Sequence, residues 1–182
     1  MQLGTEHFDQ VSRARRMISR GYINHAVEVE TGLSMKTIRS IRKRMVDEGL
    51  AESPRGRQIR QGQSIIKRLE DREDVSLIML AYRSYAGGDR VYQVIDVEAL
   101  DSAHDTYVLL KSEINRHPVD FITINDAYAL AKELRSDDAQ FEYCKHCELE
   151  YFISLRQECS TRCPFCSPAT TRVTSEELYR SA

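Results

Sequence analysis

The amino-acid sequence predicts a mainly α-helical chain that carries a small C-terminal module built on four cysteines. Three observations lead there. Apolar residues recur at spacings of three and four in successive runs, and glycine, proline or capping residues stand between the runs. Two Cys-x-x-Cys pairs, Cys144/Cys147 and Cys163/Cys166, lie fifteen residues apart near the end. In 182 residues, a 41% hydrophobic fraction suffices for a core, and 30% charged residues remain for the surface. The expected division is a helical domain over residues 1–135 and a metal-binding module with a tail over residues 136–182.

The elements follow in order. Residues 11–21 read as a helix, with Val11, Ala14, Arg15 and Ile18 at helical spacing and Gly21 as the stop. Asn24 is the expected cap of a second helix reaching residue 30, and Thr31-Gly32-Leu33 is a tight turn. Ser34 caps a third helix over residues 35–48, ended by Gly49, with Ile38, Ile41 and Met45 facing inward. Residues 53–63 hold a proline, two glycines and three arginines and read as a loop or basic arm outside the core. Residues 71–86 and 99–114 are longer helices. Gly87-Gly88 separates the first of them from residues 91–97, a short strand or another helical turn. Pro118 breaks the chain, and Asn125 is the expected cap of a helix over residues 126–134. The tail from residue 169 is polar, with at most a last helical turn.

Net charge is −2, but its distribution is uneven. Residues 36–68 hold ten basic side chains against three acidic ones, an excess of seven positive charges, so the rest of the chain carries nine negative ones. Phosphate responds to such a local field rather than to the total. Residues 24–46 also have the layout of a helix-turn-helix: two short helices, a glycine in the turn, and a basic second helix with an apolar inner stripe. Leu33, Ile38 and Ile41 would hold the second helix on the first. Lys36, Thr37, Arg39, Ser40, Arg42 and Lys43 are then available to double-stranded DNA. Arg55, Arg57 and Arg60, in the basic arm over residues 53–68, suit phosphates or a minor groove. Glu28 stands where such motifs usually have a small residue. The alternatives are an ordinary helical hairpin with a solvated charged face, or an interaction adaptor whose basic face binds an acidic protein.

The cysteine spacing is that of a structural zinc ribbon or a related module. Each short pair turns two thiolates toward one ion, and two pairs complete a tetrahedron. Four such ligands, Cys144, Cys147, Cys163 and Cys166, leave no open position, so one zinc ion is expected to hold structure rather than activate water. Cys159 does not fit the paired spacing, and His146 is expected to point outward. His25, His104 and His117 are scattered and suggest no second metal. There is no phosphate-binding loop, dinucleotide fingerprint, Ser/His/Asp set or paired-carboxylate signature, so an enzyme is not expected. No run of roughly 18 apolar residues occurs to span a membrane. No apolar leader is evident at the N-terminus either, so the expected setting is a reducing cytoplasm.

These motifs, in this order, resemble the FlhC family of transcription activators. The likeness rests on Glu30-Thr-Gly-Leu-Ser34, the basic helix beginning Met35-Lys-Thr-Ile-Arg39, the central Ala81-Tyr-Arg-Ser-Tyr85, and Ala127-Tyr-Ala-Leu-Ala131 leading into the two cysteine pairs around Tyr151-Phe152-Ile153. The resemblance implies a subunit that assembles with an FlhD-like partner, in a ring of four FlhD-like and two FlhC-like chains. It implies promoter binding and recruitment of RNA polymerase at flagellar or conjugative-transfer genes. By the same resemblance Cys144, Cys147, Cys163 and Cys166 would be the zinc ligands. The basic arm, the Gly-Gly-Asp segment and Cys159 depart from the family pattern.

Overall fold

The structure, a computed structural model, describes residues 2–52, 60–113 and 122–166. The N-terminal third is three helices. Helix α1 (Gln2–Ser19) turns Ala14, Met17 and Ile18 inward, and Gly21 beyond it takes a left-handed φ of 87°. Helix α1 begins well before residue 11, where apolar periodicity first becomes visible. Helix α2 (Asn24–Thr31) ends at Gly32, whose φ is 69° and whose N–H donates to the Glu28 carbonyl at 2.9 Å. Helix α3 (Met35–Asp47) starts at Ser34, whose Oγ accepts the Thr37 N–H at 3.2 Å. Its buried positions Ile38, Arg42 and Met45 repeat at four and three. Each of these helices packs on the other two.

Helix α4 (Gly62–Ile65) is one short turn. Helix α5 (Leu69–Tyr85) follows and runs into Gly87 and Gly88, both at φ 82°. The segment after them is a 3₁₀ turn (Asp89–Tyr92), which decides between the strand and helical expectations. Helix α6 (Val97–Glu113) pairs with α5. Helix α7 (Ile124–Arg135) buries nine of its twelve residues, which marks it as the central helix rather than an amphipathic surface one. Ala127, Ala129 and Ala131 keep it slim enough for α5, α6 and the following strand to close on it. Strands β1 (Ala139–Tyr143) and β2 (Glu150–Ser154) form an antiparallel hairpin, with Ala139 opposite Ser154 and Tyr143 opposite Glu150. Ala139 and Phe152 belong to the same core as the helices, so residue 135 marks a change of secondary structure and not a break in packing.

Two capping expectations are corrected. Ile23, with no side-chain cap, precedes α2; Asn24 Oδ1 instead accepts Arg42 Nε at 2.7 Å. Thr123 caps α7 in a reciprocal pair with Asp126, whereas Asn125 reaches back to the Gly21 carbonyl and the Ile23 N–H, both at 2.9 Å. In both cases a distant contact recruited the amide that local sequence would have used as a cap. Inside the core, Lys111 and Asp74 form a buried ion pair at 2.5 Å, and Tyr107 donates to the same carboxylate at 2.9 Å. No described helix is long and apolar enough to cross a membrane. Residues 53–59, with Arg55 and Arg57, the break at Pro118 and the tail from residue 169 lie outside the described residues.

Candidate metal centre and basic helix face

The β1–β2 turn and the segment after β2 bring the four paired cysteines together. Cys144 N–H donates to the Leu149 carbonyl at 2.9 Å, closing the turn, and Glu148 N–H returns to the Cys144 carbonyl at 2.8 Å. Glu148 takes a left-handed φ of 58° to do so. Beyond β2 the chain folds back, and the ligand atoms of Cys144, Cys147, Cys163 and Cys166 all lie within 4.8 Å of one another. Cys144 and Cys166 sulfurs are 3.2 Å apart, and those of Cys147 and Cys163 are 3.6 Å apart. A disulfide needs about 2.05 Å. Four thiolates held about 2.3 Å from one ion would be spaced about 3.8 Å, so the set fits a tetrahedral ion.

The thiols are not equivalent. Backbone N–H donation from Cys147, then the Cys166 thiol and the His146 N–H, pull Cys144 down to about 6. Hydrogen bonds with Cys144 and then Cys147 push Cys166 up. Burial raises Cys163. Metal binding must displace the remaining protons. Cys159 stands apart from the cluster: it packs against the core, its Sγ donates to the Ile66 carbonyl at 3.7 Å, and burial raises it. His146 is exposed, as expected.

The metal segment is stitched to the helices. Phe152 N–H donates to Ser76 Oγ on α5 at 3.2 Å, and Ser154 Oγ donates to Glu133 Oε2 on α7 at 2.7 Å. Arg83 lies 5.0 Å over the Phe141 ring and pairs with Glu150 at 2.9 Å. Gly62 N–H donates to Glu133 Oε1 at 2.8 Å, so α4 joins the same buried carboxylate. Gly62 is buried, which corrects the expectation that residues 53–63 stay outside the core.

On α3, Lys36, Arg39, Ser40 and Lys43 are spaced as one helical face, and all four are exposed. Arg44, at its edge, is exposed too. Among the described residues none of these four cations has an ion-pair partner, in contrast to Arg13, Arg15 and Arg16 on α1 and Arg20 just beyond it. Arg42 is the correction. It lies one turn from Ile38 on the inner face, 5% exposed, held by Asn24 and the Tyr22 carbonyl, and it is not offered to a ligand. Thr37 is half-buried and its hydroxyl meets Ser34 Oγ at 2.9 Å. Arg60 grips the Asp126 carboxylate with both Nε, at 2.8 Å, and Nη2.

Sequence reasoning passed over Arg44, whose position next to Lys43 was the available signal, and Arg72, which repeats with Val75 and Met79 on the buried side of α5. It had no signal for Glu133, because the groups it binds are remote in sequence. No protein-family model matches the chain, and no curated protein matches it.

Proposed function

We propose that the chain is the DNA-binding, metal-stabilised subunit of a heteromeric transcription activator and has no catalytic role. The observation that carries this is the unneutralised stripe of Lys36, Arg39 and Lys43 on α3, a helix fixed from behind by Ile38, Arg42 and Met45. Free cations on a rigid helix after a short glycine turn suit the second helix of a helix-turn-helix, which presents side chains to base edges in the major groove. Ser40 shares that face. Arg55 and Arg57 would add phosphate contacts from the arm. Arg60 is reassigned from DNA contact to anchoring the arm's far end on α7.

In this reading the metal is one structural zinc ion, held by Cys144, Cys147, Cys163 and Cys166, and it acts as a cross-link. It fixes the segment after β2, whose Glu158 receives Gln63 of α4 at 2.5 Å. Zinc therefore supports the place where the arm rejoins the core. The resemblance to the FlhC family supports the remaining assignments: a cytoplasmic complex with an FlhD-like protein, recruiting RNA polymerase to flagellar or conjugative-transfer promoters.

The test is to co-express the chain with an FlhD-like neighbour and footprint candidate promoters, with scrambled duplex as the control. Protection of a defined site that weakens steeply with salt is the expected result. A zinc-loaded complex that binds no duplex at low salt would overturn the reading in favour of an adaptor that binds an acidic protein.

A further inference from the structure

Helices α5 and α6 leave one face uncovered by any described residue. Asp74 meets Lys111 at 2.5 Å, while Tyr85, further along α5, meets Thr106, earlier in α6, at 2.9 Å. The two helices therefore run antiparallel. Leu77, Ala81 and Tyr85 follow one another a turn apart beside that seam. Thr106 and Leu110 do the same on α6, with Leu109 next to them. Leu77, Tyr85, Leu109 and Leu110 are all exposed, Leu109 to 61%. Single exposed leucines need no explanation, but a contiguous uncharged strip along a helix pair marks a place where another chain packs.

The charges around the strip indicate what packs there. Glu70 and Glu73 on α5 and Glu113 on α6 stand at the end marked by the Asp74–Lys111 pair. Among the described residues none of these three acids has an ion-pair partner, and Glu70 and Glu113 are fully exposed. The cations of the two helices lie elsewhere. Lys111 is held by Asp74 in the core, Arg72 is buried, and Arg83 is turned to Glu150 of the hairpin. A second copy would bring the same three acids to this face and no free cation to meet them, whichever way round it docked. Nor could its α3 serve, because the apolar side of that basic helix is buried. We propose that this face seats a helix of a different protein, one with an apolar stripe at spacings of three and four flanked by Lys or Arg. The inference rests on the heteromeric part of the proposed function and not on the DNA part.

The experiment titrates the zinc-loaded full chain with a purified FlhD-like neighbour across a salt series. Leu77→Ser combined with Leu110→Ser should weaken association roughly tenfold or more. Glu70→Gln, Glu73→Gln and Glu113→Gln together should weaken it less and flatten its salt dependence. Circular dichroism checks the fold of each variant; should the first pair not fold, Leu109→Ser with Leu110→Ser is the pair to read. Unchanged affinity in the folded leucine and glutamate variants overturns the inference and leaves the heteromeric reading intact. An equal loss from Val29→Ser, an exposed apolar residue on α2, overturns it too, since the contact would then not be particular to this face. A wild-type chain that self-associates through the same leucines overturns it in favour of a second copy. If wild type binds no such neighbour, the heteromeric reading falls, and the probe becomes a helical Leu/Lys peptide beside a Leu/Glu peptide of the same apolar stripe. A preference for the Lys peptide that disappears in the leucine variant upholds the surface; equal binding of the two peptides, or none, overturns it.

Discussion

Replacing Gly62 by alanine tests how the arm's end, the central helix and the metal hairpin are joined. A Cβ built at Gly62 would stand 2.2 Å from Ser154 Oγ, 2.6 Å from Glu133 Oε2 and 2.8 Å from Ser154 Cβ. Glu133 Oε2 ends a longer side chain, but its hydrogen bonds keep it from moving aside freely. Ser154 Oγ and the Gly62 N–H both donate to the Glu133 carboxylate, which is itself 6% exposed. Something must give. Overpacking costs about 1–3 kcal/mol, and loss of one hydrogen bond to a buried carboxylate costs about 1.5–3 kcal/mol. Because the methyl group forces both partly, about 3 kcal/mol is expected, or a fall in Tm of roughly 6–12 °C for a chain of this size. Differential scanning calorimetry of the metal-loaded protein measures it. A Tm equal to wild type would mean that Gly62 is not enclosed by Ser154 and Glu133, and the account of how α4 docks would fail.

Three further outcomes follow from the site. Serine at Cys144, Cys147, Cys163 or Cys166 should cost the roughly one equivalent of zinc per chain, while Cys159→Ser retains it, as elemental analysis would report. A variant Cys159→Ser that loses zinc while Cys163→Ser keeps it would reverse the ligand assignment. Arg42→Ala should lower stability by about 2–4 kcal/mol, because it leaves Asn24 Oδ1 and the Tyr22 carbonyl without their donor. Arg39→Ala should stay within about 0.5 kcal/mol in the same urea titration; equal costs would contradict the two-faced description of α3. Burial lowers His104 from its ordinary value of 6.5, with its ring nitrogen against the Ile122 carbonyl at 3.1 Å. The unfolded chain then takes up the proton more readily, so this contribution is complete above pH 6.5 and is lost as pH falls through the lowered value. His104→Gln should flatten that part of the stability–pH curve, and an unaltered curve would refute the assignment.

Much of the fold was legible because local rules and tertiary packing agreed. Ser34, Gly32 and Gly49 sit where a cap and two left-handed turns are needed, and the structure uses them there. The paired cysteines were legible for the same reason: two residues between thiolates is itself a geometric constraint. Several of the misses share one cause, which is that long-range partners took over groups with a local role. Asn24 and Asn125 surrendered their caps to Arg42 and to the Gly21–Ile23 turn. Arg60 and Gly62 looked like free arm, but Asp126 and Glu133, far along the chain, hold them in place. Arg42 was misread differently, since charge was given more weight than its one-turn spacing from Ile38. The hairpin escaped notice because two five-residue strands on either side of a cysteine turn carry too short an alternation to register.

The central claim is that α3 meets DNA through Lys36, Arg39 and Lys43, and its most direct test is the salt dependence of operator affinity. The wild-type complex and a variant with all three neutralised to glutamine would be titrated across a salt series. Each cation withdrawn from a phosphate should reduce the log–log slope by about 0.9, so a fall of up to about three is predicted where all three meet phosphate. Any of them that reads a base instead should remove operator preference over scrambled duplex at roughly 1–3 kcal/mol. An unchanged slope together with unchanged operator affinity would contradict the account, leaving the basic face of α3 as solvated surface.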